Sequence, residues 1–307
     1  MPSANFYLRD AVEARNSLTK RQEKDIRKLY NQWAREARRE AESLKGVEGT
    51  INEQRRLAEL YYQLRSGSLQ LSAEINNLVS SNANEMGNIV ARVNQRWLKS
   101  LGFTEDSINR KMSPAKDMAI RNILTGNLYE QKIPISSRIW NLADSNLQDM
   151  YTIIAKGIAQ EQSMEHIARQ LEKYLMPGKS VGWTTQIVDQ NGVQRILSIH
   201  NNTVDYRAQR LARTVVQHSY QQVLVGLTRN NPFVLGYLWH AEGANACQIC
   251  LDRDGQFYTA SELPLDHPNG QCEMEVVIDN GIADKEIEDV YGDIRYSSFM
   301  SGLELED

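Results

Sequence analysis

The chain has no proline between Pro2 and Pro114, and this gap restricts what the first third of it can form. Proline removes a backbone donor and clashes with the preceding helical turn, so a stretch of this length without it favours long helices. Two apolar stripes run through it at helical spacing, one over residues 9–45 and one over residues 57–97. Such stripes are typical of helices packed on one face. We therefore predict two long helices, interrupted near Gly46 and Gly49.

Shorter elements are predicted beyond this region. Ser163 has the position of a helix-capping serine, and Asn191-Gly192 between two β-like runs favours a hairpin turn. The predicted helices cover 114–126, 136–157, 163–175 and 204–229, and the predicted strands cover 233–240, 256–259 and 273–278. We predict a mainly α N-terminal part with long helices over 1–178, a smaller α+β module with short strands over 179–280, and an acidic tail over 281–307.

Composition excludes some classes of protein. The 307 residues include 35 basic and 39 acidic ones, for a net charge of -4. No apolar run approaches the ~20 residues of a membrane-spanning helix, and no secretory leader is visible at the N-terminus. The near-neutral charge disfavours dense coating of nucleic acid. However, residues 284–307 hold eight acidic and two basic residues, so the remainder is slightly basic and mild attraction to DNA stays open.

All three cysteines lie close to one histidine near the C-terminus. Cys247 and Cys250 are two residues apart, and His267 and Cys272 follow after a gap of sixteen residues. A Cys-x-x-Cys turn can hold one ion, and a second pair returning from a distant loop would complete a tetrahedron. Three thiolates and an imidazole suit zinc in a closed structural site. The alternative is that the three cysteines bind no metal and are reduced thiols, buried like small apolar side chains.

Catalytic interpretations of the same region are weaker. His240 and Glu242 before the cysteines resemble a zinc-deaminase pattern, but only four residues separate Glu242 from Cys247, and the expected proline is missing. A thioredoxin-like redox centre would need a βαβ context. An HNH-type nuclease would need further His and Asn positions. We therefore expect no enzymatic activity, with a metal-dependent enzyme acting on nucleic acid or nucleotides as the alternative.

Three arginines recur every third residue in the predicted helix over 204–229. They are Arg207, Arg210 and Arg213. A solvated, salt-bridged face is the simpler interpretation. Contact with DNA phosphate or with an acidic partner is the functional one.

The order of motifs in the C-terminal quarter resembles the phage head morphogenesis family of minor head proteins. An Arg-Thr pair in a helix (Arg213, Thr214) is followed by the strand around Trp239 and by the Cys-x-x-Cys turn. Asp254-Gly255 and a His-Pro-Asn segment that ends at Cys272 complete the series. About seventy residues carry the match. The sequence departs from the family pattern at Val215, where an acidic residue is common, and at Gln271, where arginine is usual.

The resemblance implies a minor capsid protein of a tailed phage, present in few copies in the virion. Such a protein would be made in the host cytoplasm, associate with the portal protein, and act in head morphogenesis, DNA packaging or DNA delivery. The major capsid protein or a scaffolding protein would be further partners, together with packaged double-stranded DNA. The helical N-terminal region would provide contacts with other head proteins.

Overall fold

The computed structural model describes residues 4–43, 50–160, 162–178, 183–188, 194–199, 203–242, 246–279 and 303–304. The described part is mostly helical, with a two-stranded hairpin and a small three-stranded antiparallel sheet, as predicted. Its helices are α1 (Ala4–Ser43), α2 (Thr50–Lys99), α3 (Glu105–Leu124), α4 (Ile135–Ala159), α5 (Met164–Leu175), α6 (Val204–Thr228) and α7 (Gln248–Arg253). Its strands are β1 (Trp183–Val188), β2 (Gln194–Ile199), β3 (Val234–His240), β4 (Phe257–Tyr258) and β5 (Glu273–Ile278).

Several local predictions are confirmed. The proline-free region forms α1 and α2, and Ser163 caps α5 by accepting a hydrogen bond from the His166 N–H at 3.3 Å. Strands β1 and β2 pair antiparallel on either side of the Asn191-Gly192 segment, which itself lies outside the described residues. Strand β5 has the predicted bounds.

The predicted start of α3 at Pro114 is wrong. The helix begins at Glu105 and includes Pro114 in its interior. Thr104 caps it by accepting a hydrogen bond from the Ser107 N–H, and Glu105 and Asp106 supply acidic side chains to the first turn, where the helix dipole favours them. These starting signals outweigh the one backbone hydrogen bond that a proline inside a helix cannot donate.

The described residues divide into two compact units, each drawn from separate stretches of the chain. The cysteine unit comprises Met1–Lys20, Val79–Lys132 and Ala212–Asp307. The hairpin unit comprises Arg21–Leu78 and Ile133–Leu211. The domain boundaries at 178 and 280 that the sequence suggests adjoin residues outside the described part, and they stay a prediction.

In the cysteine unit, the start of α1, the second half of α2, α3 and most of α6 pack with the three-stranded sheet. The sheet has the order β4-β3-β5, and every pair is antiparallel. Its core is built around large buried side chains, including Trp97, Phe103, Tyr220, Tyr237 and Trp239. Of the expected acidic tail, only Leu303 and Glu304 lie among the described residues. Leu303 is buried, and the Glu304 carbonyl accepts a hydrogen bond from the Thr104 N–H at 2.7 Å.

In the hairpin unit, the rest of α1 packs with the first half of α2, with α4 and with α5. The buried Tyr30 hydroxyl accepts a hydrogen bond from Asn146 at 3.2 Å, and the Tyr174 hydroxyl donates one to Asp149 at 2.7 Å. Trp33 is buried beside Tyr30, and its indole ring lies against Gly67 of α2. Glycine is needed there because no side chain fits between the helix and the ring.

Two helix glycines give opposite predictions for stability. A Cβ on Gly67 would lie 2.7 Å from Trp33 Nε1, whereas a Cβ on Gly226 would meet no atom closer than 3.6 Å. Alanine is favoured over glycine in a helix by about 1 kcal/mol, and overpacking costs about 1–3 kcal/mol. We expect Gly67→Ala to lower the unfolding midpoint and Gly226→Ala to raise it or leave it unchanged. Thermal and urea unfolding followed by circular dichroism measure both, and a stabilising Gly67→Ala would contradict this packing of α1 on α2.

Candidate metal centre

The predicted cysteines and histidine form a cluster in the cysteine unit. The donor atoms of Cys247, Cys250 and His267 all lie within 4.8 Å of one another, as do those of Cys250, Asp266 and Cys272. Cys250 belongs to both groups, and its Sγ lies 3.7 Å from Cys247 Sγ and 3.3 Å from Cys272 Sγ. Cys247 and Cys272, which are 25 positions apart in the sequence, thus both lie beside the sulfur atom of Cys250.

The first two candidate ligands, Cys247 and Cys250, are held by the short helix α7, which the sequence analysis missed. Cys247 is the N-cap of this helix, and Cys250 lies in its first turn and is buried. Cys247 makes no capping hydrogen bond through its side chain, but the Cys250 backbone N–H nearby is the main reason that the pKa of the Cys247 thiol is below its usual value. Burial, in contrast, raises the pKa of the Cys250 thiol in the metal-free protein. A cation at this position would compensate the cost of a buried thiolate.

His267 is oriented by a tight turn. Its carbonyl accepts the Gly270 N–H at 2.8 Å, while Pro268 and Asn269 occupy the two central positions. Proline fixes the backbone at the first of these, and Asn269 takes a φ of 74°, so the pattern is that of a type II turn. The His267 Nδ1–H donates to the Pro268 carbonyl at 3.0 Å. In the neutral form of the ring, Nε2 then carries the lone pair, 3.1 Å from Cys250 Sγ and 3.2 Å from Cys247 Sγ.

The loop that carries His267 and Cys272 is organised by the buried carboxylate of Asp266. One oxygen accepts the His267 N–H at 2.8 Å, and the other accepts the Cys272 N–H at 3.2 Å and the Gln217 side-chain amide at 2.9 Å. A Cβ on Gly270 would overlap this carboxylate, so the turn can close only over glycine. Asp266 thus fixes the backbone on both sides of the turn.

A polar stripe on α6 holds the same loop in place. Thr214 accepts a hydrogen bond from the Asn269 N–H at 2.9 Å, and His218 Nε2–H donates to the Asp266 carbonyl at 2.9 Å. Gln221 donates to the Pro264 carbonyl at 2.6 Å and accepts from the Asp266 N–H at 3.0 Å. Together with Gln217, these side chains recur at positions i, i+3, i+4 and i+7 of α6, and all four are buried. That spacing is visible in the sequence and could have identified the stripe.

The donor set fits a metal ion. Two thiolates bound to one zinc in tetrahedral geometry stand about 3.8 Å apart, close to the 3.7 Å between Cys247 and Cys250. Thiolate and imidazole are ligands that zinc favours. Asp266, which the sequence analysis did not consider, is a second candidate for the fourth position. Its carboxylate already accepts three N–H groups, so Cys272 is the better candidate.

Other predicted site residues lie elsewhere. Arg210 is exposed, Arg207 is half-buried and donates to Ser145 at 3.3 Å, and Arg213 is half-buried. Contact of these arginines with DNA or an acidic partner stays a prediction. His240 Nε2 lies 2.7 Å from a Glu275 carboxylate oxygen, and among the described residues it belongs to neither group of candidate metal ligands.

Comparison with known proteins finds no match of the chain to a family model, a curated protein or a solved structure. Within the residues that the structure describes, none of the helices combines the length and apolar character needed to cross a membrane.

Replacing the shared sulfur is expected to abolish metal binding. Cys250 Sγ is common to both groups of donors, so Cys250→Ser removes the atom on which every ligand set here depends. We expect about one metal ion per chain in the unaltered protein and only residual metal in the variant. Elemental analysis after dialysis against a weak chelator measures this. Ser261→Ala, an exposed change between the two ligand pairs, is the control and should keep its metal; an unchanged metal content in Cys250→Ser would refute the site.

The fourth ligand can be identified with cobalt. If Cys272 binds the ion, Cys272→Ser reduces the thiolates from three to two and should lower the thiolate-to-cobalt charge-transfer absorbance by about a third. Asp266→Asn keeps the number of thiolates, so any cobalt that it binds should retain the full intensity per ion. Absorption titration with Co²⁺ measures both variants. Full intensity in Cys272→Ser would instead favour Asp266 as the ligand.

Proposed function

We propose that this chain is a structural protein of a tailed-phage head that associates with the portal, and that its Cys/His cluster binds zinc as a structural staple. The observation that carries the proposal is that the motif residues behind the family resemblance converge in the cysteine unit. Thr214 accepts a hydrogen bond from the turn after His267, and Trp239 is buried in the sheet. Cys250 and Cys272 lie side by side in the cluster.

The remaining motif residues also have architectural roles. The Asp254 carboxylate accepts the Ala241 N–H at 2.8 Å and so joins the end of β3 to the turn after α7. Gly255 has a φ of 71°, a conformation that other residues rarely adopt, and its N–H donates to the Trp239 carbonyl at 2.8 Å. Asp254 and Gly255 thus stabilise the fold of the cysteine unit. A structural role for these motif residues supports the proposal of an assembly protein rather than an enzyme.

The composition of the cluster supports a staple. Three thiolates and one imidazole would fill a tetrahedron around zinc and leave no position for a reactive water. Cys250 and Cys272 are also buried, with 2% and 1% of their surface exposed. Residues 259–272, which connect β4 to β5, form neither helix nor strand, so their path depends on other contacts. A bound ion would stabilise this connection by linking α7 to the loop before β5.

The partners form the second part of the proposal. Large apolar side chains are exposed on helices α2 and α4 of the hairpin unit: Tyr62, Leu69, Trp140, Tyr151 and Ile158. Exposed apolar side chains in such number favour contact with other proteins. We propose portal subunits as the main partner, with the major capsid protein, a scaffolding protein and packaged DNA as further contacts. The protein would thus reside in the virion after assembly in the host cytoplasm.

Association with the portal can be tested with intact particles. Heads purified from a phage that encodes a tagged copy of this chain should contain it in few copies. Heads assembled without the portal should lack it. Immunoblotting of gradient-purified particles, with the portal and major capsid proteins as references, measures both.

Complete heads without the chain would overturn the proposal. Turnover of nucleic acid or nucleotides by the purified metal-loaded protein, lost in Glu242→Gln, would instead favour the enzymatic alternative.

A further inference from the structure

We propose that Arg15 of α1 and Gln217 of α6 are positioning residues that hold Cys272 ready for the metal, so that metal affinity depends on a helix remote in sequence from every ligand. This inference rests on the metal-binding part of the proposed function. Gln217 donates to the Cys272 carbonyl at 2.7 Å, and Arg15 Nη1 donates to the same carbonyl at 3.1 Å. Arg15 lies 257 positions from Cys272 in the sequence.

Both polar groups of the Cys272 backbone are held by side chains. The carbonyl receives the two donors from Arg15 and Gln217, and the N–H donates to Asp266 at 3.2 Å. The peptide planes on either side of the ligand are therefore fixed before any ion binds. Preorganised ligands lose less conformational freedom when the metal arrives, which raises affinity.

The two residues and Asp266 form one connected network. Gln217 Oε1 accepts from Arg15 Nη1 at 3.0 Å, and the Gln217 amide donates to the Asp266 carboxylate at 2.9 Å. The amide thus links a buried cation to a buried anion. Arg15, Gln217 and Asp266 are each 2% exposed, so water offers little substitute for a lost partner.

The positive charge of Arg15 also suits its position beside Cys272. Its guanidinium lies over the Tyr220 ring at 5.3 Å, its Nε and Nη2 donate to Asn16, and a Glu273 oxygen is 4.0 Å away. A zinc ion with three thiolates and a neutral imidazole carries net negative charge. A buried guanidinium bonded to one of the ligand residues offsets that charge.

The coupling works in both directions. If contacts from α1 and α6 strengthen metal binding, the bound metal must stabilise those contacts by the same free energy. Metal binding would therefore hold the first part of α1 against α6 and the loop. Removal of the metal would loosen helical residues of α1 around Arg15, although they contribute no ligand.

The test compares metal affinity in full-length variants. Arg15→Met and Gln217→Leu should each bind Zn²⁺ about 10- to 100-fold more weakly than the unaltered protein, as measured by competition with a chromophoric chelator. Arg15→Lys, which keeps the charge but not the planar fork, should fall between Arg15→Met and the unaltered protein. Arg9→Met is the matched control, because Arg9 lies in the same helix but is exposed and paired with Glu13. Its affinity should not change.

A second readout separates positioning from general stability. Hydrogen exchange of α1 amides around Arg15 should accelerate when a chelator removes the metal from the unaltered protein, even if Arg15→Met does not fold. Unchanged affinity in both Arg15→Met and Gln217→Leu, or unchanged exchange, would overturn this inference. Absence of metal binding by the unaltered protein would instead refute the metal-binding part of the proposed function.

Discussion

The buried carboxylate of Asp266 is the interaction on which the C-terminal quarter depends. A charge removed from water must be compensated, and here three N–H groups provide the compensation. Two of them come from the residues that carry predicted metal ligands, His267 and Cys272. The loop over residues 259–272 forms neither helix nor strand, so hydrogen bonds to this one anion hold the part that carries His267 and Cys272. The Asp266 carboxylate therefore determines where the candidate ligands His267 and Cys272 lie, although Asp266 is not itself the preferred ligand.

Helix α6 serves two environments at once. Its apolar side chains, such as Val216, Tyr220 and Val223, belong to the core of the cysteine unit. Its polar stripe faces the loop, where each side chain has a backbone or side-chain partner. A buried amide or imidazole is tolerated only with such partners, and each of these gives the loop a defined position. The helix therefore combines the packing of a core element with the specificity of a polar network.

The sequence was sufficient to predict the long helices, the strands and the four Cys and His members of the cluster, but not α7 or Asp266. Periodic apolar residues identify α1 and α2, and Cys-x-x-Cys with a returning His and Cys identifies the candidate ligands. Pairings between distant residues could not be predicted, because periodicity shows which face of a helix is buried but not what covers it. Arg15 illustrates this limit: it lies in a densely charged helix and looks like a solvated residue. The predicted start of α3 is wrong because it was placed at Pro114, and the capping threonine at position 104 was not considered.

The interleaving of the two units has a consequence for dissecting the protein. No contiguous fragment contains one unit alone, because each is drawn from stretches that alternate along the chain. A fragment over 21–211 would contain the hairpin unit, but it would also carry Val79–Lys132 without the core partners of that stretch. Met86, Val90 and Phe103 would then face water, and such surfaces favour aggregation. A truncated fragment would thus aggregate before its function could be measured. Point substitutions in the full-length chain are the better way to test the role of each unit.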